Sequence, residues 1–236
     1  MSTVPTRMFE GFDAASLAML AQLPGWSRDD YAANRADLQK GLLDPAVALI
    51  VGVASRLSDE LGSELTVIPK IGGSVSPLNR DLRFAADKTI LYKEALLLTA
   101  WDGSDKKNSP MFWLRVGHDA IGFASGIGFD PARRQAWRSA VADDESGRRL
   151  VDALASVRRH PTFEVSGQER KSVPKPWGDD HPRADLLKHT SFQVRWYEPL
   201  PPTATLPRFV DFCADKLGEL LGVHRWLKEY LTLNPA

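Results

Sequence analysis

The nine residues from Ile121 to Phe129 constrain the fold more than any other stretch of this chain. Successive side chains of a strand point to opposite faces, and here the two faces are unlike. One carries Ile121, Phe123, Ser125, Ile127 and Phe129. The other carries Gly122, Ala124, Gly126 and Gly128, and is almost bare. Such a strand asks for an apolar layer on one side and lets something approach its backbone closely on the other. A packed helix or a crossing strand meets the second condition without special chemistry and is the preferred reading; a bound ligand is the functional alternative. Gly126-x-Gly128 is not a nucleotide fingerprint, because the third glycine and the later acidic residue are missing.

The surrounding pattern supplies the rest of a sheet. Met111 to Val116 reads as a strand joined to Ile121–Phe129 by the short link Gly117-His118-Asp119, a hairpin. Leu65 to Ile68, Leu91 to Trp101, Phe163 to Val173 and Thr190 to Tyr197 read as further strands, the last with Phe192, Val194 and Trp196 on one face. Asp102 to Pro110 is a polar loop.

Helices are expected at both ends. Asp13 caps a short one that stops at Pro24-Gly25, and Ser27 with Asp30 forms a capping-box start. Asp44-Pro45 restarts a helix that Gly62 ends. Asp130-Pro131 opens another, with a break near Asp143 to Gly147, and Phe209 to Tyr230 forms the last. The expected fold is α+β: a single domain over 1–236, with a central, mostly antiparallel sheet and N-terminal and C-terminal helices packed on it. The alternative division is a helical region over 1–63 followed by a region over 64–236 that holds the sheet and the C-terminal helix.

Thirty basic and thirty acidic residues cancel, which argues against bulk nucleic-acid binding. A single cysteine, Cys213, points to a reducing, cytoplasmic setting and to a core thiol. No signal peptide is visible in Met1 to Phe12, and the apolar run Ala46 to Ala54 is too short to span a bilayer.

Charge concentrates between Asn79 and Lys93. Arg80, Asp81, Arg83, Asp87, Lys88 and Lys93 are interleaved with Leu82, Phe84 and Tyr92. In extended chain Asp81 and Arg83 share a side, while Leu82 and Phe84 share the other. Arginine is suited to bidentate recognition of carboxylate or phosphate, so the cluster, with Lys175 and Lys188 brought in from a late loop, suits an anionic small ligand. Two other readings stand beside it. Asp81 or Asp87 acts as general base or metal ligand in an enzyme, or the charges pair internally in a structural or protein-interaction module.

The run Arg80-Asp81-x-Arg83-Phe84-x-x-Asp87-Lys88-Thr89, followed by Tyr92-Lys93, resembles the signature of a conserved hypothetical family, domain of unknown function 2461. Phe9-x-Gly11-Phe12, Tyr31-x-x-Asn34-Arg35 and His181-Pro182-x-x-Asp185-Leu186-Leu187-Lys188 resemble further motifs of that family, in the same order. Ile90-Leu91 stands where the family has one proline. The resemblance implies one α+β domain and brings no established activity, catalytic residue or cofactor.

No Gly-x-Ser-x-Gly elbow or phosphate-binding Walker loop is present. Asp179-Asp180-His181 is the one compact acid–histidine group; it reads as loop solvation and capping rather than a metal site. His118, His160 and His224 read as turn, helix-end or surface residues, and the tryptophans as core or half-buried. No cofactor is expected, and the oligomeric state is not encoded in any of these features.

Overall fold

The structure, a computed structural model, describes residues 8–83 and 85–232. Phe84, expected as an anchor beside the Asp81–Arg83 pair, and residues 1–7 of the Met1 to Phe12 segment lie outside the described residues.

Side-chain caps set the early helices. Asp13 accepts the Ser16 N–H at 2.7 Å and opens α1 (Ala14–Gln22). Ser27 and Asp30 exchange hydrogen bonds across the first turn of α2 (Arg28–Ala33), the capping box read from sequence. The expected restart at Asp44-Pro45 is corrected. α3 (Arg35–Leu38) and α4 (Asp44–Leu61) run on as one helix through a π-helical turn at Gln39–Leu43. Pro45 has no N–H, and its ring would press on the carbonyl four residues earlier. A widened turn just before it accommodates both facts without breaking the helix. Gly62 ends it in the left-handed conformation, φ 71°. By length and composition the stretch Arg35–Leu61 is able to cross a membrane, but 56% of its most apolar window is buried inside the fold, as in a core helix.

The sheet has five antiparallel strands: β1 (Leu96–Trp101), β2 (Met111–Val116), β3 (Ala120–Gly128), β4 (Glu164–Gln168) and β5 (His189–Pro199), in the order β1-β2-β3-β5-β4. Between β3 and β4 come α5 (Pro131–Ala142) and α6 (Asp144–Val157), divided at Asp143, which caps the second. A short α7 (Ala184–Leu187) precedes β5. The expected single C-terminal helix is two, α8 (Phe209–Gly218) and α9 (Leu221–Leu231).

Three strand boundaries are shorter than the sequence suggested. Thr66 alone of Leu65 to Ile68 bridges β1, at Trp101. Ile68 turns away because its backbone is tied to Ser74 on both sides, N–H to Oγ at 3.0 Å and C=O to N–H at 2.8 Å. β1 starts at Leu96, and β4 stops at Gln168 after a bulge at Gly167, φ 102°.

Pairing aligns the faces of the sheet. Leu98, Leu114, Phe123 and Trp196 stand in one row, buried under α4, α8 and α9 in a core that runs from Phe9 to Leu231. Two rows point the other way: Leu97, Arg115, Gly122 and Tyr197; then Thr99, Trp113, Ala124, Arg195 and Glu164.

Candidate functional site

Among the described residues neither a packed helix nor a crossing strand lies over Gly122 and Ala124 on the bare face of β3; the Tyr197 ring lies over Gly122. This face of β3 is the floor of a trough of about 230 Å³ on the face opposite α8 and α9. Trp113 and Arg115 of β2 form one wall; Gln193, Arg195 and Tyr197 of β5 form the other. The cause is the side-chain sequence itself. β3 presents nothing larger than a methyl group on this face, while both neighbouring strands present long side chains, so the middle strand lies at the bottom of a furrow. The β3 glycines have different reasons to be bare. A Cβ at Gly122 would come within 2.5 Å of the Tyr197 ring, and one at Gly126 within 2.2 Å of the Phe192 carbonyl oxygen; one at Gly128 would meet nothing within 4 Å.

Two guanidinium groups occupy opposite walls. Arg195 is held firmly, its Nε and Nη2 both donating to the Glu164 carboxylate at 2.9–3.1 Å. Arg115 is held through Nη2 alone, 2.9 Å from Oε1 of Glu94, and lies 5.9 Å from the centre of the Tyr197 ring. Glu94 is 66% exposed.

No described residue of the charged segment Asn79 to Lys93 lines the trough. The segment is a loop closed at its base, where Asn79 bridges Tyr92 and the Arg80 N–H reaches the Leu91 carbonyl at 2.9 Å. Tyr92 stacks on Tyr31 of α2, centroids 4.4 Å apart, so two stretches singled out from sequence meet. Asp81 and Arg83 pair at 2.7 Å on the surface. The Arg83 hydrogen bonds hold the Asp81 carboxyl below the usual range, and the Thr89 hydroxyl and N–H, then Arg80, do the same for Asp87. Arg80 Nη1 donates to the Ile90 carbonyl at 3.1 Å, and Lys93 Nζ to the Pro77 carbonyl at 2.6 Å; burial lowers the Lys93 ammonium. Lys88 is exposed.

The late lysines are not brought to this loop. Lys188 pairs with Asp185 at 3.1 Å just before β5 begins, and Lys175 is exposed in the loop between β4 and α7. The register puts the β5 start at the corner of the sheet diagonal to the start of β1, where Lys93 enters. In the Asp179-Asp180-His181 group, His181 Nδ1 accepts the Arg183 N–H at 3.1 Å. Among the described residues no group of three or more His, Cys, Asp and Glu is arranged to hold a metal ion.

A second polar cluster lies inside the core. Ser125 Oγ is 3.0 Å from His224 Nδ1; His224 Nε2 faces Asp102 Oδ2 at 3.6 Å, and Lys228 Nζ reaches Asp102 Oδ1 at 2.8 Å. The residue types are those of a hydrolase triad, but Ser125 and His224 are fully buried, and the imidazole is stacked under Phe112 at 4.0 Å. No substrate carbonyl can reach that hydroxyl, so the cluster ties α9 to the sheet. Burial pushes the His224 imidazole below its ordinary pKa against the pull of Asp102. For Asp102, burial pushes upward and is outweighed by His224 and Lys228, leaving it low. Of the two places expected for His224, a helix end or the surface, the structure gives the first and corrects the second: it sits in the first turn of α9 facing the core. Cys213 is also buried, and its thiol is raised well above the ordinary range, as befits a core side chain.

Sequence reasoning missed Arg115, Arg195 and Glu94. Each stands alone in its own strand or at a strand entrance, and only the sheet register gathers them. The available signal was positional: in the hairpin, Arg115 and Trp113 fall opposite Gly122 and Ala124.

A search of curated proteins finds no match for the chain. The family model described as conserved hypothetical protein (DUF2461) matches residues 26–226, a span that includes the charged loop, all five strands and most of the helices. With its signature loop closed at Asn79 and Tyr92 and stacked on Tyr31, this chain belongs to the DUF2461 family.

Proposed function

We propose that this protein binds a small anionic ligand in the trough over Gly122 and Ala124, with Arg115 as the anchor. The observation that carries the reading is the single-point tether of Arg115. One guanidinium nitrogen is held by an exposed glutamate, and the group projects beside an apolar surface made by Ala124 and by the Tyr197 ring over Gly122. A guanidinium with an unused edge is suited to a forked bond with carboxylate or phosphate. A cytoplasmic setting accords with the lone buried thiol of Cys213.

A second reading keeps the ligand at the charged loop, on Arg80, Asp81, Arg83, Asp87, Lys88 and Lys93. The field of Arg80 on Asp87 and the Tyr31–Tyr92 stack favour a shaped loop there. Catalysis by Asp81 or Asp87 as general base is less well supported. Both carboxyls are held below their ordinary range, whereas a base is most effective with a pKa near the working pH.

Thermal-shift and calorimetric titration with carboxylate and phosphate probes separates the two sites. Saturable binding lost in Arg115→Ala and kept in Arg83→Ala is expected for the trough. Loss in Arg83→Ala with retention in Arg115→Ala assigns the ligand to the loop.

A further inference from the structure

Resting on the trough reading above, the walls and floor narrow the ligand to one chemical class. The β3 backbone is paired with β2 on one side and β5 on the other. Its N–H and C=O groups are committed to those neighbours, and the floor offers a ligand no hydrogen bonds. Polar recognition therefore comes from the walls, and the body of the ligand meets the Ala124 methyl and ring surfaces.

The spacing favours a flat body. β2 and β5 flank β3, so the walls rise from backbones about 9–10 Å apart, two interstrand distances. Trp113 stands on one wall and Tyr197 on the other, one row displaced along the strands. Their rings supply surfaces on which an inserted aromatic ring can pack offset or edge-on.

Glu94 specifies the charged end. It is the resident carboxylate on Arg115, bound through one oxygen, and is mostly exposed. An exposed pair of this kind is held weakly. A ligand carboxylate arriving from the trough side can take both faces of the guanidinium fork while Glu94 swings into water. Arg195 cannot serve equally, because Glu164 already holds it in bidentate fashion.

We propose that the trough takes a flat aromatic carboxylate, its ring on Ala124 between Trp113 and the Tyr197 ring that lies over Gly122, and that Glu94 is the built-in competitor it displaces from Arg115. Glu94 thereby sets how tightly the site closes on its ligand.

Three probes and one variant test this by amide NMR titration of the full chain: 2-naphthoate, cyclohexanecarboxylate and inorganic phosphate, against wild type and Glu94→Gln. The expected result is saturable shifts at the Gly122 and Ala124 amides with 2-naphthoate. Affinity for cyclohexanecarboxylate should be about tenfold weaker, reflecting ring packing. Naphthoate should bind Glu94→Gln about threefold more tightly, reflecting loss of a weak surface competitor. Equal binding of the saturated acid or of phosphate overturns the aromatic class while leaving an anion site in place. Unchanged affinity in Glu94→Gln overturns the competitor role. Silence of these amides with all three anions, in both proteins, overturns the trough reading itself.

Discussion

Ser125 and His224, ninety-nine residues apart, are joined by a 3.0 Å hydrogen bond in a region closed to solvent. The Asp102 carboxylate opposite Nε2 assigns the tautomer: Nε2 carries the hydrogen, and Nδ1 accepts from the serine hydroxyl. Ser125→Ala removes that donor and leaves a buried acceptor unpaired, a loss of about 1–3 kcal/mol. Chemical denaturation measures it. The double variant Ser125→Ala with His224→Phe should lose less than the sum of the two single changes, because the stranded acceptor is gone.

Acid should weaken the fold through its buried imidazoles. Burial lowers both His224 and His189 below the ordinary value of 6.5. The unfolded chain takes up protons near that pH and the folded chain only below it. The stability they contribute is therefore complete above pH 6.5 and is lost as pH falls beneath it. Asp102, Lys228 and Arg225 are the charged groups acting on His224. Asp102, itself held low, extends the loss once pH falls below about 3.8, its ordinary value. Melting temperatures recorded from pH 8 to pH 5 should fall, and His224→Phe should flatten some of that slope.

The glycines of β3 should separate by what an added methyl meets. Gly126→Ala drives a Cβ into the backbone of β5 and should cost several kcal/mol, in the range of severe overpacking, about 3 kcal/mol or more. Gly128→Ala meets nothing and should be close to neutral. Gly122→Ala meets a side-chain ring that can rotate away. It should leave stability nearer wild type while closing the trough, a combination read by pairing denaturation with probe titration.

Arg133 is a buried clamp. Its guanidinium donates to the Asn108 side chain at 2.7 Å, the Asn108 carbonyl at 3.0 Å and the Leu231 carbonyl at 3.2 Å, and also pairs with Asp130. It thus fastens the loop after β1 to the end of α9. Arg133→Met should lower stability by about 3 kcal/mol, since charged donors to buried acceptors are among the stronger hydrogen bonds. Proteolysis should then cut first in the Asp102–Pro110 loop.

Local chemistry was legible from sequence, and register was not. Asp13, Ser27 with Asp30, and Asp130-Pro131 cap helices where their side chains said they would, because a cap depends on four consecutive residues. The two faces of β3 were legible for the same reason. Asp44-Pro45 misled because the same residues fit a helix start and a tolerated position inside a widened turn, and only packing of the whole Arg35–Leu61 helix decides between them. The charged loop stands out because its charges are adjacent in sequence. Arg115, Arg195, Trp113 and Tyr197 are scattered over eighty-odd positions and become neighbours only when five strands pair. Ser125 was a partial signal: a lone hydroxyl on an otherwise apolar face must find a partner, but nothing local names His224.

The trough of β3 has a consequence for how members of this family can diverge. Its floor is main chain and methyl, and its walls are single side chains whose Cβ atoms point away from the helical layer. Exchanging Trp113, Arg115, Gln193 or Tyr197 changes the chemistry of the trough walls and leaves Leu114, Phe123, Val194 and Trp196 in place on the other face. On the proposed reading, ligand preference is open to change one wall position at a time while the buried core beneath stays untouched, recognition and stability being carried on opposite sides of one sheet.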